Sequence, residues 1–176
     1  MKKIIALTAL LFPLLGQAVP VDGYKDLKFG MSIEQARETK LCESGWHTPY
    51  GDDWRKIING YWICERFRFS DGYVVARFLA IGGEVKNIQL VMPEKPEYQA
   101  ELLLDVLKEK YGEPSIEKKD LIEERIKSGT QKKRRKNETA FYENYSFANG
   151  AVSLRLFIYN GTSEPAEINY NSPDLS

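Results

Sequence analysis

The sequence predicts an α+β fold: two tandem helix-plus-antiparallel-meander repeats sharing one sheet, with two helices packed on it. Three observations predict it. Residues 65–83 align without a gap on residues 143–161, 78 positions later, with six identical pairs that include Glu65/Glu143, Gly72/Gly150 and Arg77/Arg155. Each copy holds a turn dipeptide, Asp71-Gly72 or Asn149-Gly150, between apolar-alternating runs, the signature of a β-hairpin. Ahead of the second copy, Ala100, Leu103, Leu104, Leu107 and Tyr111 recur at helical spacing.

The elements follow in order. Met1-Lys2-Lys3, an apolar run from Ile4 to Leu15 and small residues at Gly16 and Ala18 read as a signal peptide over 1–18. Residues 19–176 are then a single globular domain, with half-repeats at about 24–92 and 93–171. Tyr24–Phe29 reads as a short strand. Ser32 with Gln35 forms a capping box that opens a short helix ending near Cys42. Asn59-Gly60, Asp71-Gly72 and Gly82-Gly83 punctuate a meander that runs to Met92. A two-residue turn at Asp71-Gly72 pairs Phe69 with Val74, Phe67 with Ala76, and Glu65 with Phe78. A strict Gly82-Gly83 turn puts Ile88 and Leu90 on the face away from Phe67 and Phe78; a bulge returns them to it. Gly112 and Pro114 stop the long helix. The charged stretch 115–139 reads as a long hairpin or loop inserted into the second copy. The second hairpin pairs Phe147 with Val152, Tyr145 with Leu154, Glu143 with Leu156 and Phe141 with Ile158. Its other, mixed face carries Tyr142, Asn144, Ser146, Ser153, Arg155 and Phe157. Asn160-Gly161 turns the chain into a last strand near Ile168–Tyr170.

Removing residues 1–18 takes Lys2 and Lys3 and no acid from 25 basic and 25 acidic residues, leaving a net charge of −2. Nothing in that balance draws the chain to nucleic acid or to membranes. No later apolar run is long enough to span a bilayer and no cysteine lies beside the cleavage point, so the expectation is a periplasmic or secreted monomer without a membrane anchor. Cys42 and Cys64 are the only cysteines. In an oxidising compartment they are expected to form a disulfide, since their spacing fits neither a redox CxxC pair nor a zinc site.

Leu27-Lys-Phe-Gly-Met-Ser-Ile-Glu-Gln-Ala36, opening a capped helix after a signal peptide, resembles the start of small bacterial envelope domains. These include the SmpA/OmlA-type assembly lipoproteins and the secreted β-lactamase inhibitor proteins, which are tandem helix-and-sheet repeats. The resemblance implies protein binding without catalysis. A lipid-carrying cysteine, which the lipoproteins have, is missing here.

Candidate sites are few. With His47 the only histidine and no Gly-rich phosphate loop, no metal site, cofactor site or catalytic triad is expected. Trp46, His47, Tyr50 and Trp54 crowd one loop, either as partner-binding aromatics or as rings capping the core. Glu65 and Glu143 occupy matching places among apolar neighbours. Brought together they would line a pocket or form a carboxylate pair for hydrolysis; apart, each would meet an arginine such as Arg37 or Arg66. Lys132, Lys133, Arg134, Arg135 and Lys136 form a basic run that reads as an anion-binding patch or a solvated loop. The expected function is a non-catalytic, exported protein-binding module of the inhibitor, immunity or assembly kind. A small-molecule or lipid carrier is the alternative, and a carboxylate-pair hydrolase ranks below both.

Overall fold

The structure is a computed structural model that describes residues 20–50, 58–92, 100–130, 138–163 and 166–175. The chain opens with a small hairpin of β1 (Gly23–Tyr24) and β2 (Leu27–Lys28), then α1 (Ile33–Glu38). Next come β3 (Gly60–Phe69), β4 (Gly72–Ile81) and β5 (Glu84–Val91). The second part holds α2 (Ala100–Tyr111), β6 (Ser115–Asp120), α3 (Leu121–Lys127), β7 (Ala140–Phe147), β8 (Val152–Tyr159), β9 (Thr162–Ser163) and β10 (Glu167–Asn171).

One antiparallel sheet dominates, in the order β3-β4-β5-β10-β8-β7-β6, with β9 paired to the end of β8. The fold is therefore mostly β, which corrects the predicted α+β class. Among the described residues α1 has six residues, α2 twelve and α3 seven, while β3 and β4 have ten each. Two events tip the balance. The capped first helix stops at Glu38, where the Thr39 hydroxyl and N–H both donate to the Ala36 carbonyl. The charged stretch after α2 adds a strand, β6, beside β7.

Strand β10 joins the two ends of the sheet. Its Ile168 pairs with Leu90 of β5, 78 residues earlier. The same offset relates Arg77↔Gln89 on β4 and β5 to Arg155↔Glu167 on β8 and β10. From the central β5–β10 pair the strands thus run outward in matching order and register as far as β4 and β8.

The register then departs in β3. Phe69 pairs with Gly72, so the turn falls on Ser70-Asp71 with Ser70 at φ 48°, and the predicted Asp71-Gly72 turn does not form. Glu65 and Arg66 stand together opposite Val75 in a bulge. Trp62 faces Phe78, Cys64 faces Ala76 and Phe67 faces Val74. These three are buried and Glu65 is exposed, whereas the predicted register puts Glu65 inside. The energetics decide it. Ser70 in the left-handed region is no distinguishing cost, since Ala148 takes φ 47° at the aligned place in the second turn. Burying a ring of ~200 Å² returns about 5 kcal/mol and no carboxylate is desolvated.

The second turn keeps the predicted register, although Ala148 (φ 47°) joins Asn149 (φ 56°) and Gly150 (φ 91°) at positive φ. Residues Ala148–Gly150 form a short 3-10 turn, and Ala151 N–H donates to the Ala148 carbonyl at 3.2 Å. All four predicted cross-strand pairs of β7 and β8 are present. In β5 an extra residue, Lys86, bulges between Asn87 and Val85, so Ile88 faces Phe78 and both are fully buried. The open question about that strand closes in favour of the bulge.

The core lies on one face of the sheet. Phe67, Phe78, Ile88, Leu90, Leu154 and Ile168 line it, and α1 (Ile33, Ala36) and α2 (Leu103, Leu107) contribute to it. The capping box of α1 is complete: Gln35 N–H donates to Ser32 Oγ and Ser32 N–H to Gln35 Oε1. Ile122 of α3 is also fully buried, and α3 packs on β7. No described helix is long and apolar enough to cross a membrane.

Candidate functional site

The aromatic loop divides. Trp46 is 5% exposed and meets the Phe78 and Phe67 rings edge-on, at 4.8 and 5.8 Å. It caps the core. His47 pairs its backbone with Ile63 at 3.0 and 2.8 Å and leaves its imidazole outside, 3.9 Å from Glu65. Tyr50 is 58% exposed, its ring against the bare Cα of Gly60, where a Cβ would stand 2.6 Å from a ring carbon. Trp54 lies outside the described residues, as do Lys132, Lys133, Arg134, Arg135 and Lys136 and the signal-like segment. Cys42 and Cys64 are joined in a disulfide, with Cα atoms 5.9 Å apart. With it, backbone bonds from Glu43 to Arg66, from Arg68 to Leu41 and between His47 and Ile63 hold 41–47 along the outer edge of β3.

Glu65 and Glu143 are not brought together. They sit on β3 and β7, five strands apart in the sheet, which is roughly 20 Å or more. Glu143 is spoken for locally. Its Oε1 accepts from Lys118 Nζ at 3.1 Å and its Oε2 from the Tyr145 hydroxyl at 2.9 Å. Lys118 also lies 3.6 Å from the centre of the Phe141 ring. Burial, and then the bond to Glu143, pushes the Tyr145 hydroxyl above its ordinary pKa. Of the arginines the sequence suggested, Arg66 reaches Glu43 instead. Arg37 lies over the Trp62 ring at 5.3 Å and Arg66 over the Tyr73 ring at 4.4 Å.

A cluster that sequence reasoning missed surrounds Glu43. Its Oε1 accepts from the Tyr73 hydroxyl and from Arg68 Nη2 at 2.9 Å, while Arg66 approaches Oε2 at 3.4 Å. The Tyr73 hydrogen bond, followed by Arg68, holds the Glu43 carboxyl below its usual pKa. The slipped β3 register creates this cluster, because it sets Arg68 beside Tyr73.

The face of the sheet opposite the core is polar among the described residues, with α3 packed against its β7 end. A row of polar side chains crosses it. Arg77 donates to Gln89 at 3.3 Å, Gln89 donates to Glu167 at 3.2 Å, and Arg155 lies 3.9 Å from Glu167. Arg155 also lies over the Tyr142 ring at 5.7 Å, and Tyr142 packs on Phe157 at 5.4 Å. Two shallow clefts meet at Tyr142. One, of about 300 Å³, is lined by Glu117, Lys119, Tyr142, Asn144 and Arg155. The other, of about 620 Å³, runs along α3 past Leu121, Glu124, Arg125 and Lys127. Asn144 Oδ1, at the floor of the first, is buried without a hydrogen-bond partner. Toward β3 the face ends in exposed Tyr61 and Tyr73, and along β8 in exposed Tyr159. The sequence placed Tyr142, Asn144 and Arg155 on this mixed face, and the register agrees. The identity of Arg77 with Arg155 was the available signal for the rest. Among the described residues no group of three or more His, Cys, Asp or Glu is placed to hold a metal.

Residues 24–176 match a family described as an uncharacterised protein. An uncharacterised protein of Pasteurella multocida is 57% identical over 176 residues, covering 99% of this chain and 90% of that protein. No solved structure matches. The family shown is this one, and the likeness of residues 27–36 to SmpA/OmlA-type and β-lactamase-inhibitor-type domains remains a short-motif resemblance.

Proposed function

The chain belongs to this uncharacterised family, and we propose that it is an exported, non-catalytic protein-binding module of the bacterial envelope, with the open face of its sheet as contact surface. One observation carries the reading. One face of the sheet presents tyrosines and arginines together, Tyr61, Tyr73, Tyr142, Arg77 and Arg155, and among the described residues only α3 packs against it, at its β7 end. Tyr and Arg are the side chains enriched where partner proteins bind tightly, because they combine large area with hydrogen bonding. The sheet beneath holds them rigidly, which lowers the entropy cost of binding. The disulfide and the signal-like N-terminus support export. Exposed Tyr50 extends the surface beyond β3, while Trp46 belongs to the core. The two clefts at Tyr142 are open and lined by charges, which suits a protein surface better than the enclosed apolar pocket of a carrier.

The test starts from a partner captured from the envelope of the native organism and then purified. Tyr61→Ala and the pair Arg77→Ala with Arg155→Ala are expected to weaken its binding about tenfold or more, with the thermal midpoint unchanged. Unaltered affinity in both variants removes the open face as the contact surface. A small molecule in the native mass spectrum, lost on Asn144→Leu and with no protein partner, transfers the reading to a carrier.

A further inference from the structure

The two outer edges of the sheet are treated differently, and the free one is complementary to itself. Segment 41–47 covers the β3 edge with four backbone hydrogen bonds of 2.7 to 3.0 Å. At the other end, among the described residues, β6 pairs with β7 only, and its residues 115–119 are all exposed, Ile116 by 64%. A bare strand edge offers unpaired N–H and C=O groups to another chain. Charged side chains on an edge usually prevent that, but here their signs alternate along one face. Glu117 and Lys119 point to the open face, on which they line the Tyr142 cleft.

We propose that β6 pairs antiparallel with β6 of a second copy of this chain, extending the sheet across a twofold axis at Lys118. An axis perpendicular to the sheet keeps like faces together, so partners must share parity. Centring on Lys118 sets Glu117 against Lys119 of the second copy, and Lys119 against its Glu117. These are two opposite-charge cross-strand pairs related by symmetry. Centring on Glu117 sets that carboxylate against its own copy and forfeits both pairs. At the chosen centre the two Lys118 side chains meet on the core side. Each is already held by Glu143 of its own chain at 3.1 Å. Lys119 bonds Glu124 at 2.8 Å, and its ammonium keeps further donors for the second copy. Asp120 accepts from Ile122 and Glu123 as the cap of α3, which ends the pairing there. A strand pair of this length is a small interface, so association belongs in the micromolar range or weaker. It sets the two clefts side by side on one continuous face.

Sedimentation velocity of the purified protein across micromolar concentrations tests this. The wild type is expected to dimerise with rising concentration. Lys119→Glu and Glu117→Lys should each stay monomeric, because each sets like charges together. An equimolar mixture of the two should associate again, since one variant carries positive charge at both positions and the other carries negative charge at both. The double variant Glu117→Lys with Lys119→Glu should also dimerise. Circular dichroism confirms that each variant folds. A wild type monomeric at the highest concentration overturns the proposal, as does a dimer indifferent to these reversals or a mixture that fails to associate.

Discussion

The hairpin of β3 and β4 and the hairpin of β7 and β8 start from one sequence motif and put different chemistry in matching places. Opposite Phe78 the first sets Trp62; opposite its counterpart Leu156 the second sets Glu143. Opposite Ala76 stands Cys64; opposite Leu154 stands Tyr145. Only Phe67 and Phe147, opposite Val74 and its counterpart Val152, match in kind. The inner strands, by contrast, share one register where both are paired, as Arg77↔Gln89 and Arg155↔Glu167 show, with the β5 bulge at Lys86 lying beyond that stretch. Divergence is concentrated in the strand farther from the centre. In the first half that strand closes the core, and a disulfide-tied segment seals its edge. In the second it carries an ion pair and accepts an added strand.

The largest effects should follow that division. Trp62→Ala is expected to cost about 3–5 kcal/mol, since it empties a fully packed site. Replacing Cys42 and Cys64 by serine should cost about 3 kcal/mol, through the loop of 22 residues that the disulfide closes. Glu143→Ala, at the place matching Trp62, should cost about 1 kcal/mol or less, because its partner Lys118 is 57% exposed. Urea unfolding monitored by tryptophan fluorescence for the serine and Glu143 variants, and by circular dichroism for Trp62→Ala, measures all three. Equal losses for Trp62→Ala and Glu143→Ala would break the contrast.

The turns offer a finer test. Gly150 sits at φ 91°, so Gly150→Ala should destabilise by about 1–2 kcal/mol. Gly72 is not at positive φ, and Gly72→Ala should change stability by less than about 0.5 kcal/mol. The aligned glycines are identical in sequence and should be unequal in urea. Comparable losses at both would mean that the first turn falls on Asp71-Gly72 after all.

These tests also mark how far the sequence could be read. The β7–β8 register was legible because Asn149-Gly150 satisfies its own turn and no tertiary demand opposes it. The same reading failed at Asp71-Gly72, where the turn shifts by one residue, and again at Glu65-Arg66, where a bulge turns Trp62 and Cys64 inward and their burial stabilises the new register. The capped α1 and the α2 stripe were written in short-range spacing, and the Cys42–Cys64 pairing in the chain having two cysteines and a signal-like N-terminus. Strand β6 was not, since Ser-Ile-Glu-Lys-Lys-Asp is exposed on both faces and has no apolar alternation to betray it. The last strand, β10, was legible near Ile168–Tyr170, but not its place between β5 and β8, which joins residues some 80 positions apart in the chain. The candidate surface was half legible. Alternation put Tyr142, Asn144 and Arg155 on one face, but joining them to Gln89 and Arg77 required the β5–β10 pairing.

The smallest expected effect separates the polar clusters of the two halves. Glu43 has its pKa lowered, chiefly by the Tyr73 hydroxyl and next by Arg68. Its ionised form is favoured in the fold, so its contribution is present above the ordinary carboxylate pKa and is lost as pH falls through the depressed value. Tyr145 is shifted the other way, upward, by burial and by its bond to Glu143. Its neutral form is favoured, so its contribution is present below the ordinary tyrosine pKa and is lost as pH rises through the raised value. The first half is thus acid-sensitive at this cluster and the second alkali-sensitive. Tyr73→Phe removes the main cause at Glu43 and leaves Arg68 in place. Carbon-13 titration of the Glu43 carboxyl should then show its pKa moving up toward the usual range without reaching it, with the urea midpoint at neutral pH falling slightly and the midpoint at acid pH less affected. The Tyr145 titration should not respond, since the two clusters lie on opposite faces at opposite ends of the sheet. A Glu43 carboxyl that stays where it was would mean that the arginines alone hold it, and that the β3 slip gained nothing by setting Tyr73 beside Arg68.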